Sequence, residues 1–108
     1  MSQAKQVTEA TFAAEVEKIQ IPVLVDFWAP WCNPCVRMGQ VLDELAKGMA
    51  GRLVVCKVNC DEAGSLASRF EVSSIPCLML FKDGKPAAKR AGFCSAAELS
   101  VWIESRLG

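Results

Sequence analysis

Trp28-Ala29-Pro30-Trp31-Cys32-Asn33-Pro34-Cys35 is the stretch around which the rest of the chain is organised. It follows an apolar run, Val23-Leu24-Val25-Asp26-Phe27, and leads into a helical pattern from Val36 to about Met49. A near-continuous apolar run of this kind suits a strand covered on both faces, as in the centre of an α/β sheet. Two cysteines separated by two residues therefore sit where a buried strand gives way to a helix. In a soluble intracellular chain, that placement reads as a dithiol redox site.

The chemistry asks for a thiolate, because a thiol hardly attacks disulfide sulfur. A free cysteine has a pKa of about 8.5 and is mostly protonated at neutral pH. At a helix N-terminus, unpaired backbone N–H groups and the helix dipole favour the anion. Cys32 stands at that end, so it is assigned as the attacking thiol and expected to be the more exposed of the two. Cys35 lies one turn further in and is the resolving thiol, with Pro34 stiffening the turn between them. The competing readings of the pair are half of a zinc site or two inert thiols. Asp26 is an acid inside an apolar strand, and burial without partners raises a carboxyl pKa.

Composition narrows the field. The 108 residues suffice for one core, so residues 1–108 are read as a single domain. Twelve basic and twelve acidic residues cancel, which argues against a nucleic-acid or anionic-membrane partner. No apolar run approaches the roughly 20 residues that span a bilayer, and Met1-Ser2-Gln3-Ala4-Lys5-Gln6 lacks a signal-peptide core. A cytoplasmic monomer is expected. Histidine is absent, which removes the commonest general base and metal ligand.

Taken in order, residues 3–7 form a weak first strand. Thr8 or Thr11 is expected to cap a short helix whose buried stripe is Phe12, Val16 and Ile19, and Pro22 blocks its continuation. The second helix starts just after Cys32 and ends at Gly48, Ala50 and Gly51. Leu53 to Val58 is a strand, Asn59-Cys60-Asp61 a turn, and Glu62 to Phe70 a short helix. Cys77 to Phe81 is the next strand. Lys82-Asp83-Gly84-Lys85 makes a hairpin turn to a returning strand over Ala87 to Ala91. Ser95 with Glu98 is a capping box for a last helix whose stripe is Leu99, Trp102, Ile103 and Leu107. The order β-α-β-α-β-α-β-β-α gives an α/β fold with a mixed sheet and helices on both faces.

At this point the chain resembles the thioredoxin family over nearly its whole length. The resemblance runs through Val25-Asp26-Phe27-Trp28-Ala29-x-Trp31-Cys32-x-Pro34-Cys35 and Leu42-Asp43-Glu44-Leu45-Ala46. It continues through Lys57-Val58-Asn59-x-Asp61, Ser74-Ile75-Pro76, Leu80-Phe81-Lys82-Asp83-Gly84-Lys85 and Gly92. It implies a thioredoxin fold, a central mixed five-stranded sheet flanked by four helices. It further implies a protein-disulfide reductase that needs no cofactor beyond its Cys32–Cys35 disulfide and is recycled by a flavin-dependent thioredoxin reductase. Asp26 is then the proton acceptor for Cys35, tuned by Lys57. Pro76 is in the cis form and faces the dithiol. The backbone beside it pairs with an extended substrate segment. Trp31, Asn33, Pro34, Ile75, Pro76 and Gly92 make up the substrate-contacting set around Cys32. Trp28 packs beneath the site.

The chain departs from the family pattern at four places. Asn33 stands where Gly is usual, which bears on the redox potential. Gln40 replaces a helix proline and restores a backbone N–H, so a straighter helix is expected beside the soft Gly39. Cys77 replaces the Thr common after Ile-Pro. Phe93 replaces a small residue, which bears on substrate preference. Two alternatives to a reductase stay open: an oxidase or isomerase using the same dithiol, and a non-catalytic docking subunit. A potential far above about −230 mV would favour the former. Of the remaining cysteines, Cys56 and Cys77 read as small buried hydrophobes. Cys60 and Cys94 lie at element ends, are expected to be more exposed, and are candidates for a regulatory disulfide or glutathionylation.

Overall fold

A computed structural model describes residues 4–107. Five strands, β1 (Lys5–Gln6), β2 (Val23–Trp28), β3 (Val54–Asn59), β4 (Cys77–Lys82) and β5 (Lys85–Ala91), form one sheet in the order β1-β3-β2-β4-β5. β1 and β2 run parallel to β3, whereas β4 is antiparallel to both β2 and β5. Three α-helices, α1 (Asn33–Gly48), α2 (Gly64–Arg69) and α3 (Ala96–Leu107), and a π-helical turn at Ala13–Glu17 complete the expected four helices.

Burial of β2 on both faces follows from its sequence. Val23, Val25 and Phe27 point into a core with Phe12, Val16, Leu66 and Phe81. Leu24 points the other way, to Met38, Leu42, Leu78, Leu99 and Ile103 beneath α1 and α3. Side chains alternate along a strand, so Asp26 falls on the α1 side with Leu24 and Trp28. On the opposite face, Phe70 packs within 5.5 Å of Phe12 and 5.4 Å of Phe81, ring centre to ring centre.

Local chemistry accounts for the ends of the elements. The capping box forms as expected: Ser95 N–H donates to the Glu98 carboxylate at 3.2 Å, and Glu98 N–H donates to Ser95 Oγ at 3.1 Å. Asp83 and Gly84 both have positive φ, 51° and 78°, as a two-residue hairpin of the favoured twist requires. β5 begins at Lys85, two residues earlier than its sequence implies. Pro86 sits on an edge strand, where its missing N–H is tolerated, opposite Phe81 and next to a register shift.

Three expectations are corrected. Thr8 and Thr11 do not cap a helix. Their backbone N–H groups bond reciprocally to each other's hydroxyls, and Phe12, with no side-chain cap bond, precedes the π-helical turn. α2 starts at Gly64 because Glu62 and Ala63 N–H groups turn back onto the Asn59 carbonyl at 3.1 and 2.9 Å. Cys94 is only 1% exposed and belongs to the core cluster with Leu99 and Ile103. Residue 3, assigned to the first strand from sequence, lies outside the described residues.

Candidate active site

The dithiol is built by the junction of β2 and α1. β2 delivers the chain to Trp28, Ala29 is buried, and a turn through Pro30 and Trp31 places Cys32 at the N-cap of α1. Cys32 is extended there, with φ −93° and ψ 106°. Its carbonyl accepts the Val36 N–H at 3.1 Å, and its sulfur accepts the Cys35 N–H at 3.2 Å. Sulfur thus takes the place of the side-chain oxygen that usually caps a helix. The unpaired N–H groups of the first turn would stabilise negative charge on that sulfur.

Cys32 and Cys35 are joined in a disulfide, with their Cα atoms 5.2 Å apart. Cys35 is fully buried and Cys32 is 6% exposed, so the order of accessibility is the expected one although both are largely covered. Ala29, Trp28 and Ile75 pack around the pair.

Two further segments converge on Cys32. The Ile75–Pro76 peptide bond is cis. The Ile75 carbonyl oxygen lies 3.9 Å from Cys32 Sγ, and Gly92 N–H donates to the Pro76 carbonyl at 2.8 Å. Gly92 has φ 94°, a conformation open to glycine at little steric cost. Trp31, Asn33 and Pro34 are exposed, Ile75 and Gly92 are half-buried, and Pro76 is buried.

Asp26 is completely buried, and neither carboxylate oxygen has a hydrogen-bond partner among the described residues. Burial pushes its pKa from 3.8 up to about 7, with the Lys57 charge pulling the other way. Lys57 is its register partner on β3. The Lys57 ammonium sits 4.3 Å from the centre of the Trp28 ring, on the side of α1 that carries Gly39. Trp28 is half-buried and its indole nitrogen faces no acceptor among the described residues, in keeping with a packing role.

The other four cysteines are free. Burial pushes the Cys56 thiol up to about 11, and it raises Cys60, Cys77 and Cys94 as well. A raised pKa lowers thiolate content, so these thiols are weaker nucleophiles at neutral pH. Cys56 belongs to the cluster with Phe12 and Cys35 to the dithiol cluster, and among the described residues no three Cys, Asp or Glu side chains gather into a metal site that would complete the half zinc site at Cys32 and Cys35.

Two contacts beside the dithiol carry no signal in local sequence. The Trp31 indole N–H donates to the Asp61 carboxylate at 3.1 and 3.2 Å to its two oxygens. Asp61 is held by its own N–H donating to the Asn59 side-chain oxygen at 2.9 Å. The Arg37 guanidinium sits over the Phe93 ring, 4.4 Å from its centre. Asp61 belongs to a quoted motif, but only the fold shows what it holds.

Comparison with known proteins agrees with this geometry. The family model described as thioredoxin matches residues 3–105. The chain is 54% identical over 107 residues to thioredoxin 1 of Synechococcus elongatus, covering 99% of this chain and all of that one. It is 46% identical to thioredoxin 1 of a Nostoc species with the same coverage. To the thioredoxin of Pseudomonas aeruginosa it is 44% identical over 101 residues, 94% of each chain.

Proposed function

The chain belongs to the thioredoxin family and is a thiol–disulfide oxidoreductase, and from that premise we propose that it reduces protein disulfides through Cys32 and Cys35. The Cys32 thiolate attacks one sulfur of a substrate disulfide. A new S–S bond forms, the substrate bond breaks, and the departing sulfur takes up a proton. The Asp26 carboxylate accepts the proton of the Cys35 thiol. Cys35 then attacks Cys32 Sγ, forming the intramolecular disulfide and releasing the second substrate thiolate, which is protonated. Two electrons pass from the dithiol to the substrate.

A carboxyl that titrates near 7 fits this task, because a general base works best near the operating pH. Lys57 keeps that value from climbing further. Trp31, Asn33, Pro34, Ile75, Pro76 and Gly92 form the landing surface. An extended substrate segment pairs there with the backbone beside Pro76, in the manner of an added strand. A flavin-dependent thioredoxin reductase restores the dithiol with electrons from NADPH, so no cofactor resides on this chain. The protein acts as a monomer in the cytoplasm, a reducing compartment that keeps Cys56, Cys60, Cys77 and Cys94 as thiols.

The observation that carries the reading is the Cys35 N–H donated to Cys32 Sγ at the helix start. The test is reduction of insulin disulfides with thioredoxin reductase and NADPH. The native protein precipitates reduced insulin and the Cys32→Ser variant does not. Equal activity of the two would refute the assignment.

A further inference from the structure

We propose that Arg37 and Phe93 form a second wall of the landing surface, one that selects disulfides flanked by an acidic residue. This inference rests on the reductase reading. Phe93 directly follows Gly92, whose N–H is bonded to the carbonyl of cis Pro76, so it stands next to the segment that faces Cys32. It is 41% exposed. What covers one face of the ring is Arg37, which projects from the second turn of α1, five residues after Cys32.

The geometry of that contact decides what the pair can recognise. The Arg37 guanidinium meets the ring through its central carbon, 4.4 Å from the ring centre. Its in-plane N–H groups remain available, and these are the donors that bind a carboxylate in a two-point fork. Among the described residues no carboxylate forms a salt bridge with Arg37. The ion pairs there are Lys5–Glu15, Arg52–Glu104 and Arg69–Glu17. The cation is therefore held in place and left open to a partner. That contact also lowers the entropy lost on binding, because the side chain is already positioned.

Charge across the site is uneven. The carboxylate of Asp61 is tied to Trp31, whereas the cation of Arg37 is seated on Phe93. Val36, 56% exposed on the same turn of α1, continues the apolar surface between Cys32 and Arg37. The fitting substrate is an extended segment that lays its disulfide on Cys32 and an Asp or Glu against Arg37.

The test uses three disulfide peptides of one sequence that differ only in the residue flanking the attacked cysteine: Glu, Gln or Lys. Reduction by the pre-reduced native protein is followed at low ionic strength. The Glu peptide is expected to react about fivefold faster than the Lys peptide, the upper range for a solvent-exposed ion pair, with Gln between them. In Arg37→Met the ratio falls to near one. In Phe93→Ala it shrinks, because the guanidinium loses its seat. Arg52→Met, with the same charge change in the turn between α1 and β3, keeps the native ratio. Equal rates in the native protein, or a ratio that survives Arg37→Met, overturn the selectivity and leave the reductase reading standing. Failure of the native protein to reduce any of the three overturns both.

Discussion

Asp26 and Lys57 are directly paired in register on adjacent parallel strands, yet they do not form a salt bridge. The ammonium lies over the Trp28 ring instead, and the buried carboxyl is left with only a distant opposite charge. Were the two in contact, the carboxylate would be held ionised well below neutrality and would be a poor proton acceptor. Removing the charge should do the reverse. In Lys57→Met the Asp26 titration, followed by carboxyl carbon NMR of the oxidised protein, is expected to move above about 7. The reduction rate at neutral pH falls with it. A midpoint that stays put or moves down would show that Lys57 does not act on Asp26.

The same carboxyl sets a pH dependence of stability. Its native pKa, about 7, is above the ordinary 3.8, so the folded state binds the proton more tightly than the unfolded one. The contribution is fully present below about pH 4 and is lost as pH rises through 7. Asp26→Asn keeps the shape and removes the titration. The variant is expected to be more stable than the native protein at pH 8, by on the order of 4 kcal/mol at most. At pH 4 that advantage shrinks. Denaturant unfolding of the oxidised proteins at the two pH values measures it, and a stability difference independent of pH would rule the account out.

Trp31 is 70% exposed, and the Asp61 carboxylate holds its indole. The bond reduces the freedom of a side chain that belongs to the proposed landing surface. Asp61→Ala is therefore expected to raise KM for insulin about threefold, the size of one exposed charge-assisted bond, with kcat little changed. Asp61→Asn, which keeps an acceptor oxygen, recovers part of the loss. If kcat fell and KM did not, Asp61 would instead serve the chemical step.

The parts of this fold that were legible in sequence are those governed by short-range chemistry. The apolar run Val23–Phe27, the Ser95–Glu98 box and the Asp83-Gly84 turn each specify a local conformation that packing then keeps. Cys94 shows where this fails. It lies at an element end, which favours exposure, but the segment after Gly92 turns it into the core beside Leu99. The cis bond at Pro76 was legible only through family resemblance, since X–Pro bonds are mostly trans. The pairs Trp31–Asp61 and Arg37–Phe93 join segments far apart in the chain, and no local periodicity encodes such a meeting.

Gly84 separates two reasons for glycine. At φ 78° it has the left-handed backbone that disfavours a side chain, and a Cβ there would also strike the Glu17 backbone carbonyl. Gly51, at φ 84°, shares the backbone conformation but faces open space. Gly51→Ala should therefore cost only the conformational strain, about 1–2 kcal/mol. Gly84→Ala adds a clash with main chain, which cannot swing aside as a flexible side chain would. It is expected to lose at least about 1 kcal/mol more, within the range of an overpacked contact. Urea unfolding of the two variants gives the comparison directly. Losses of equal size would mean that the hairpin moves away from the Glu17 turn without cost, and that the close approach contributes nothing to holding β4 and β5 against it.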